Sequence, residues 1–257
     1  MSYRNVLCDR SETIATVTMN RPERRNALSI EHMEELIHAL REIGASDARA
    51  VVLAGNGPVF CAGHDFGDMV DRDLAGMRRL LAVCADLMAT LQAIPQPVVA
   101  RVHGLATAAG CQLVATADLA VAAADARFAT PGGRGGWFCT TPMVAVSRAI
   151  GRKRALEMLL TGDEIDAATA ADWGLVNRVV APERLVDEAQ ALARAASRGS
   201  TFSKSVGKHA YYAQIDLDQA HAYAYASEVM AMMALDRDGR EAITSFVEKR
   251  KPVYRNS

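Results

Sequence analysis

Short, wholly apolar runs separated by amphipathic stretches constrain this chain more than any other feature. Ala50-Val51-Val52-Leu53-Ala54, Pro97-Val98-Val99-Ala100-Arg101-Val102 and Asp118-Leu119-Ala120-Val121-Ala122 have the length and composition of buried strands. Helical patterns lie between them. Ile30, Met33, Leu36, Ile37, Leu40 and Ile43 recur at the helical period behind Ser29, a candidate N-cap, and Gly44 ends the run. A longer helix is expected from about Leu74 to Ile94, stopped by Pro95 and Pro97. Strand and helix in repetition predict an α/β core with parallel sheets. Val6 to Met19 alternates as strands do, about a polar turn at Asp9–Glu12. From Thr141 onward the pattern is almost wholly helical. Ser200 to Arg250 reads as three amphipathic helices carrying Met230, Met232, Met233 and Leu235, a surface that packs either on a neighbouring subunit or on its own core.

Composition narrows the function. With 257 residues, half of them hydrophobic, and a net charge of −1, the chain can bury a large core but has no basic face for nucleic acid. No apolar run is long enough to span a bilayer, and Met1 to Arg10 lacks the apolar centre of a signal peptide. The five cysteines (Cys8, Cys61, Cys84, Cys111 and Cys139) are scattered and form no CxxC pair, which argues against a disulfide framework or zinc site and for the cytoplasm. Without an HExxH, a clustered carboxylate set or a Gly-x-Ser-x-Gly elbow, neither a metal site nor serine hydrolase chemistry is expected.

Two segments carry chemistry. Phe60-Cys61-Ala62-Gly63-His64-Asp65-Phe66 and Ala108-Ala109-Gly110-Cys111-Gln112-Leu113 place small residues where a strand or loop gives way to a helix. Backbone N–H groups are left unpaired there, and the helix dipole adds to their pull on negative charge. Two such donors aimed at one carbonyl oxygen form an oxyanion hole.

The same two segments resemble the signatures of the enoyl-CoA hydratase/isomerase (crotonase) family. The similarity continues through Arg21-Pro22-Glu23-Arg24-Arg25-Asn26-Ala27-Leu28, through Pro97 to Asp118, through Ala170 to Val180 and into Phe246-Val247-Glu248-Lys249-Arg250-Lys251. The resemblance implies an α/β fold, a spiral of repeated strand–strand–helix turns with a C-terminal helical trimerisation region. It implies a thioester-binding core over 1–198, an oligomerisation region over 199–257, and a homotrimer or homohexamer. No cofactor is held permanently; coenzyme A arrives as part of an acyl-CoA substrate. By the same resemblance the N–H groups of His64 and Ala109 polarise the thioester oxygen. CoA lies along Arg24, Ala62, His64, Asp65 and Phe66, with Phe246 and Lys249 bordering the nucleotide of a neighbouring subunit's ligand.

The acid–base pattern departs from the hydratases, which use two glutamates. Their positions fall here on Gln112 and, through Phe128-Ala129-Thr130-Pro131-Gly132, on Gly132. A related subgroup uses an aspartate further along, where this chain has Trp137-Phe138-Cys139-Thr140. A positioned acid or base contributes roughly 10²–10⁴-fold, whereas the hole's backbone donors do not depend on side chains. Gln112 can orient a water but cannot take its proton. Among the remaining groups, His64 has an imidazole near the useful pKa range. Asp65 is expected to cap its own turn, His103 to pack in the core, and Cys139 to lack a base. Gly132-Gly133-Arg134-Gly135-Gly136 lacks the ending of a phosphate loop. Its glycines suit a flexible pocket wall, with Trp137 and Phe138 as lining and Arg134 as a reader of an anionic acyl group. The readings that follow are hydration or isomerisation of an acyl-CoA by an atypical route, acyl-CoA binding without catalysis as a regulatory or carrier subunit, or another enolate reaction such as decarboxylation.

Overall fold

The computed structural model describes residues 3–255. The chain opens with a hairpin, β1 (Val6–Ser11) and β2 (Ile14–Met19), paired antiparallel from Val6 opposite Met19 to Ser11 opposite Ile14. Its turn lies at Glu12 and Thr13, with Glu12 at φ 54°, rather than across Asp9–Glu12 as expected. Asp9 and Arg10 remain in the ladder because each pairs across it with a residue of β2. Helix α1 (Ile30–Gly44) follows, capped by the Ser29 hydroxyl, which accepts from the His32 N–H at 3.2 Å. Its buried stripe of Met33, Leu36, Ile37 and Leu40 sits on the sheet.

Strand β3 (Ala50–Gly55) is buried at every position. Helix α2 (Leu74–Ala93) is capped by Asp73 and ends just before Pro95. Then come β4 (Val98–Val102), β5 (Leu105–Thr107), α3 (Ala109–Thr116), β6 (Leu119–Ala123) and β7 (Arg127–Ala129). Strands β2, β3, β4 and β6 pair in parallel, each return being made by a helix. Meanwhile β5 and β7 pair in parallel in a second, smaller sheet. The chain therefore winds between two sheets, which is the spiral of repeated turns.

Beyond Thr141 the structure differs from the helical expectation. Helices α4 (Pro142–Ile150) and α5 (Arg152–Thr161) are followed by β8 (Ile165–Asp166), α6 (Ala167–Trp173) and β9 (Arg178–Val180). Strand β8 extends the smaller sheet and β9 becomes the edge of the six-stranded one. Strands this short carry too little periodicity to stand out between helices. Helix α7 (Leu185–Ala196) covers the far face of the main sheet, packing Leu185, Ala189, Leu192 and Ala193 on Ile14, Val52, Val99 and Val121.

Three helices close the chain: α8 (Thr201–Gln214), α9 (Gln219–Leu235) and α10 (Arg237–Val247). Helix α9 is not amphipathic as expected: Tyr223, Tyr225, Met230, Met232 and Leu235 are all exposed, and none of its residues is fully buried. Helix α8 is fastened to the core by charge. Lys208 Nζ lies 2.8 Å from Asp118 Oδ2 and donates to the carbonyls of Leu91 and Gln96, while Tyr212 donates to Asp118 Oδ1. Every hydrogen of that ammonium has an acceptor, the condition under which a buried charge is tolerated. No helix among the described residues is long and apolar enough to cross a membrane. All five cysteines are free, with Cys8 exposed and the other four buried.

Candidate functional site

The two glycine segments, forty-odd residues apart in sequence, meet directly. Cys61 bridges to Ala106 in parallel, its N–H donating to the Leu105 carbonyl at 3.1 Å and its carbonyl accepting from Thr107 at 3.0 Å. Gly110 lies against that same Cys61 carbonyl so closely that any Cβ would overlap it and come within 2.9 Å of Cys61 Cβ. Gly63, at φ +89°, occupies left-handed space, and a Cβ there would stand 3.0 Å from Ala108 Cβ and 3.5 Å from the Ala109 nitrogen. The two glycines are what allow the two loops to touch.

Which way the N–H groups point follows from their own peptide units. In a trans peptide the C=O and N–H are antiparallel. The Gly63 carbonyl accepts from the Leu28 N–H at 2.8 Å, so the N–H of the same unit, on His64, is turned away from Leu28. The Ala108 carbonyl accepts from the Gln112 N–H at 3.0 Å, so the Ala109 N–H points out from the start of α3. Neither N–H has an acceptor among the described residues. Ala108 reaches this arrangement at φ 51°, ψ −116°, a conformation that costs an L-residue of order 1–3 kcal/mol and that concentrates at functional sites.

Side chains lock the first loop. Asp65 accepts from the Gly67 N–H at 3.0 Å, as its capping role requires, and its other oxygen meets Arg21 Nη2 at 3.1 Å. Arg21 also donates to the Ala27 carbonyl at 2.7 Å. This nearly buried pair was not foreseen; its trace in the sequence is an arginine inside the Arg-Pro…Asn-Ala-Leu segment. Asn26, likewise unforeseen, sends its amide nitrogen to the carbonyls of Asn56, Val59 and Phe60 at 2.8, 3.0 and 3.1 Å, holding the strand that leads into the loop. Asp68 accepts from the Ile30 N–H at 2.9 Å and pairs with Arg72 at 2.8 Å.

The side chains between the loops and residue 137 are held differently. His64 is buried, and its ring lies 6.1 Å from that of Trp137. Neither imidazole nitrogen has a hydrogen-bond partner or access to water. Each such orphan costs roughly 1–3 kcal/mol. Burial pushes the His64 pKa down, opposed only in part by the Leu28 carbonyl and the Asp68 carboxylate. The hydroxyls of Thr107 and Thr130, on the paired strands β5 and β7 and the residue that follows, are also buried without partners.

Gln112 is buried on α3, its carbonyl oxygen 4.0 Å from Cys84 Sγ. Gly132 has no room for a side chain: a Cβ would overlap the Trp137 carbonyl and stand 2.8 Å from Cys139 Sγ. The second glutamate position is therefore filled by backbone. Cys139 is buried and its pKa is pushed up, as are those of Cys61, Cys84 and Cys111, each to about 12, so all four are poor nucleophiles.

Other expected residues fall as follows. Ala62, half-buried, donates its N–H to the Arg25 carbonyl at 3.0 Å, and Phe66 is 72% exposed beside it. The Arg24 guanidinium lies beside Gly67, 3.5 Å from where a Cβ would stand. Phe246 and Lys249 lie at the end of α10 with Phe246 84% exposed, and α10 packs on α8 and α9. Two expectations need correction. Arg134 does not face the site: it pairs with Asp163 at 3.0 Å on the surface, because the turn at Gly162 leaves room for its stem. His103 is a half-exposed loop tie rather than a core residue, meeting the Gly57 carbonyl at 2.8 Å.

The comparisons with known proteins agree with this geometry. A family model described as enoyl-CoA hydratase/isomerase matches residues 9–257. Enoyl-CoA hydratase domain-containing protein 3, mitochondrial, of Danio rerio is 40% identical over 253 residues, 98% of this chain and 88% of that protein. A crystal structure of an enoyl-CoA hydratase of Mycobacterium smegmatis superposes with a TM-score of 0.94 at 46% identity, over 97% of this chain and 98% of that one. The human enoyl-CoA hydratase domain-containing protein 3 structure gives 0.93 at 38% identity, over 97% and 100%.

Proposed function

This chain belongs to the enoyl-CoA hydratase/isomerase family, and from that premise we propose that it binds an acyl-CoA thioester and stabilises its enolate between the His64 and Ala109 N–H groups. The observation that carries the reading is the pair of peptide units whose carbonyls are tied to Leu28 and Gln112, leaving their N–H groups unpaired at the contact of two glycine loops. Each such donor is worth about 3–4 kcal/mol to a developing oxyanion. CoA runs past Arg24, Ala62, Asp65 and Phe66, with residues 1–198 as the thioester-binding core. Residues 199–257 assemble the chain as a homotrimer or homohexamer through the exposed apolar residues of α9 and α10, Phe246 and Lys249 bordering a neighbouring copy's CoA. Five free thiols suit a reducing compartment, in our reading the cytoplasm.

Hydration through a pair of carboxylates is not part of this reading. Gln112 cannot ionise, and a carboxylate at 132 has no space beside Trp137 and Cys139. The same observation favours a second reading, binding of acyl-CoA without turnover.

Difference infrared spectroscopy on crotonyl-CoA labelled with ¹³C at the thioester carbonyl tests the central claim. Polarisation in the hole lowers the carbonyl stretch of the bound thioester relative to the free one. Saturable binding with an unshifted stretch would remove the hole, and lack of binding would remove the thioester reading altogether. Turnover of several acyl-CoA substrates then separates enzyme from carrier.

A further inference from the structure

We infer that His32 is a positioning residue for the oxyanion hole: through the Ala27 carbonyl and two hydrogen-bonded peptide units, its imidazole fixes the direction of the His64 N–H. The assignment rests on the thioester reading of the same site and deepens it, adding a residue that touches no part of the substrate.

Residues 25–28 clamp the first glycine loop. The Arg25 carbonyl accepts from the Ala62 N–H at 3.0 Å, the Asn26 carbonyl from Cys61 Sγ at 3.2 Å, and the Leu28 carbonyl from the Asp65 N–H at 3.1 Å. The Leu28 N–H donates to the Gly63 carbonyl at 2.8 Å, and Leu28 forms a parallel bridge with His64. The remaining carbonyl of the segment, that of Ala27, shares a peptide unit with the Leu28 N–H and therefore points the opposite way. There it accepts from Arg21 Nη1 at 2.7 Å and lies 3.2 Å from His32 Nδ1. Turning the Ala27–Leu28 unit turns the Leu28 N–H. With it turns the Gly63–His64 unit, whose N–H is the hole donor.

The clamp needs such a tie because it is strained. Arg25 and Asn26 stand at φ 51° and 55°, left-handed backbone that persists in L-residues only where the surroundings over-determine it. Asn26 is held by its own side chain, through the carbonyls of Asn56, Val59 and Phe60. Ala27 has no such side chain, so its carbonyl is held from outside, by Arg21 and His32.

An imidazole is a costly choice for this place unless its N–H is used. His32 stands in the first turn of α1, fully buried. A carbonyl only accepts, so Nδ1 carries the proton, and Nε2 is left as a bare acceptor, buried without a partner. A leucine would fill the space and leave no orphan. Burial lowers the ring's pKa to about 4, aided by the Arg21 guanidinium and opposed by the Ala27 carbonyl, Glu35 and Glu23. The ring is therefore neutral at pH 7. Arg21 also pairs with Asp65, so it serves the loop in two ways. The His32 ring makes this one hydrogen bond among the described residues, which makes it the cleaner probe of the relay.

The test compares the ¹³C carbonyl stretch of bound crotonyl-CoA in wild type, His32→Leu and His32→Asn, with calorimetry on crotonyl-CoA and on free CoA, which lacks the thioester oxygen. The Asn amide can donate from near the place of Nδ1, and Leu cannot donate at all. Wild type is expected to lower the stretch. With one of two donors misdirected, His32→Leu should lose roughly half of that lowering, and His32→Asn should recover it. His32→Leu should also bind crotonyl-CoA about three- to tenfold more weakly, the net worth of one hydrogen bond, with free CoA unchanged. A merely structural defect would weaken both ligands alike and would not be repaired by Asn. The full wild-type shift in His32→Leu overturns the inference. So does equal weakening of both ligands, or a His32→Asn variant no better than His32→Leu. An unshifted stretch in wild type is instead the failure of the thioester reading, and the inference falls with it. Should the variants not fold, the ¹⁵N shifts of the His32 ring in the wild-type protein decide. A protonated Nδ1 and a bare Nε2 are expected, and the reverse tautomer overturns the inference.

Discussion

The wall made by residues 60–68 and 105–112 and the wall made by residues 131–140 face the same site but are held by different means. In the first, carbonyls of the loop backbone are committed to named donors, and Arg21, Asn26, Asp65 and Asp68 tie it to the start of α1. In the second, glycines at 132, 133, 135 and 136 carry Trp137 over His64, and Arg134 to Phe138 are wholly or partly exposed. The difference separates what polarisation needs from what proton transfer needs. An oxyanion hole works only if its donors do not move, and backbone hydrogen bonds supply that rigidity whatever the side chains are. Acid–base groups are side chains, so a site can exchange them while the hole stays.

The largest expected effect breaks the rigid wall. Arg21→Ala leaves Asp65 buried and unpaired, and the side chains are only 15% and 9% exposed in the pair. Loss of about 3–5 kcal/mol is expected, read as a lowered denaturation midpoint together with lost acyl-CoA affinity. Unchanged stability would mean that the loop is held by its backbone alone.

Next is Gly110→Ala, whose Cβ must displace the Cys61 backbone carbonyl. We expect about 3 kcal/mol, at the upper end for overpacking because backbone cannot rotate aside. Any residual fold should also lack the carbonyl polarisation that the infrared experiment is designed to read.

A pH effect of about 2 kcal/mol comes third. His32, beneath the first wall, is fully buried, and burial lowers its pKa to about 4. The folded state therefore binds its proton less readily than the unfolded chain, so the stability this group contributes is complete above pH 6.5 and lost as pH falls toward 4. Denaturant titrations at pH 6.5 and pH 5 should differ by that amount, and His32→Leu should remove that share of the difference. His64 adds to the effect with the same sign.

The smallest effect belongs to the glycine-rich wall. Gly135→Ala meets open space at a φ outside the left-handed region, so stability should change by no more than about 0.5 kcal/mol. A melt shifted by several degrees would show that the second wall is also rigid, and the contrast between the walls would fall.

Much of this was legible in the chain itself. Ser29 capping α1, the strands at Val51, Val99 and Val121, and the glycines at 63 and 110 all follow from local rules, because capping, burial period and tight turns are decided within a few residues. The strands β8 and β9 were not legible, since each exists only by pairing with a strand far earlier in the chain, β7 and β6 respectively. Arg134 misled for a related reason: its sequence neighbours Trp137 and Phe138 read as pocket lining, while its partner Asp163 lies across a turn.

The sequence by itself determined where the two glycine segments lie and that carboxylates are absent at 112 and 132, since residue type and order suffice for both. Only the tertiary structure decided that Gly63 and Ala109 touch, that the Trp137 backbone fills the space at Gly132, and that His64 is buried without a partner. Those are facts about through-space distance and desolvation, which arise when segments far apart in the chain exclude water from one another.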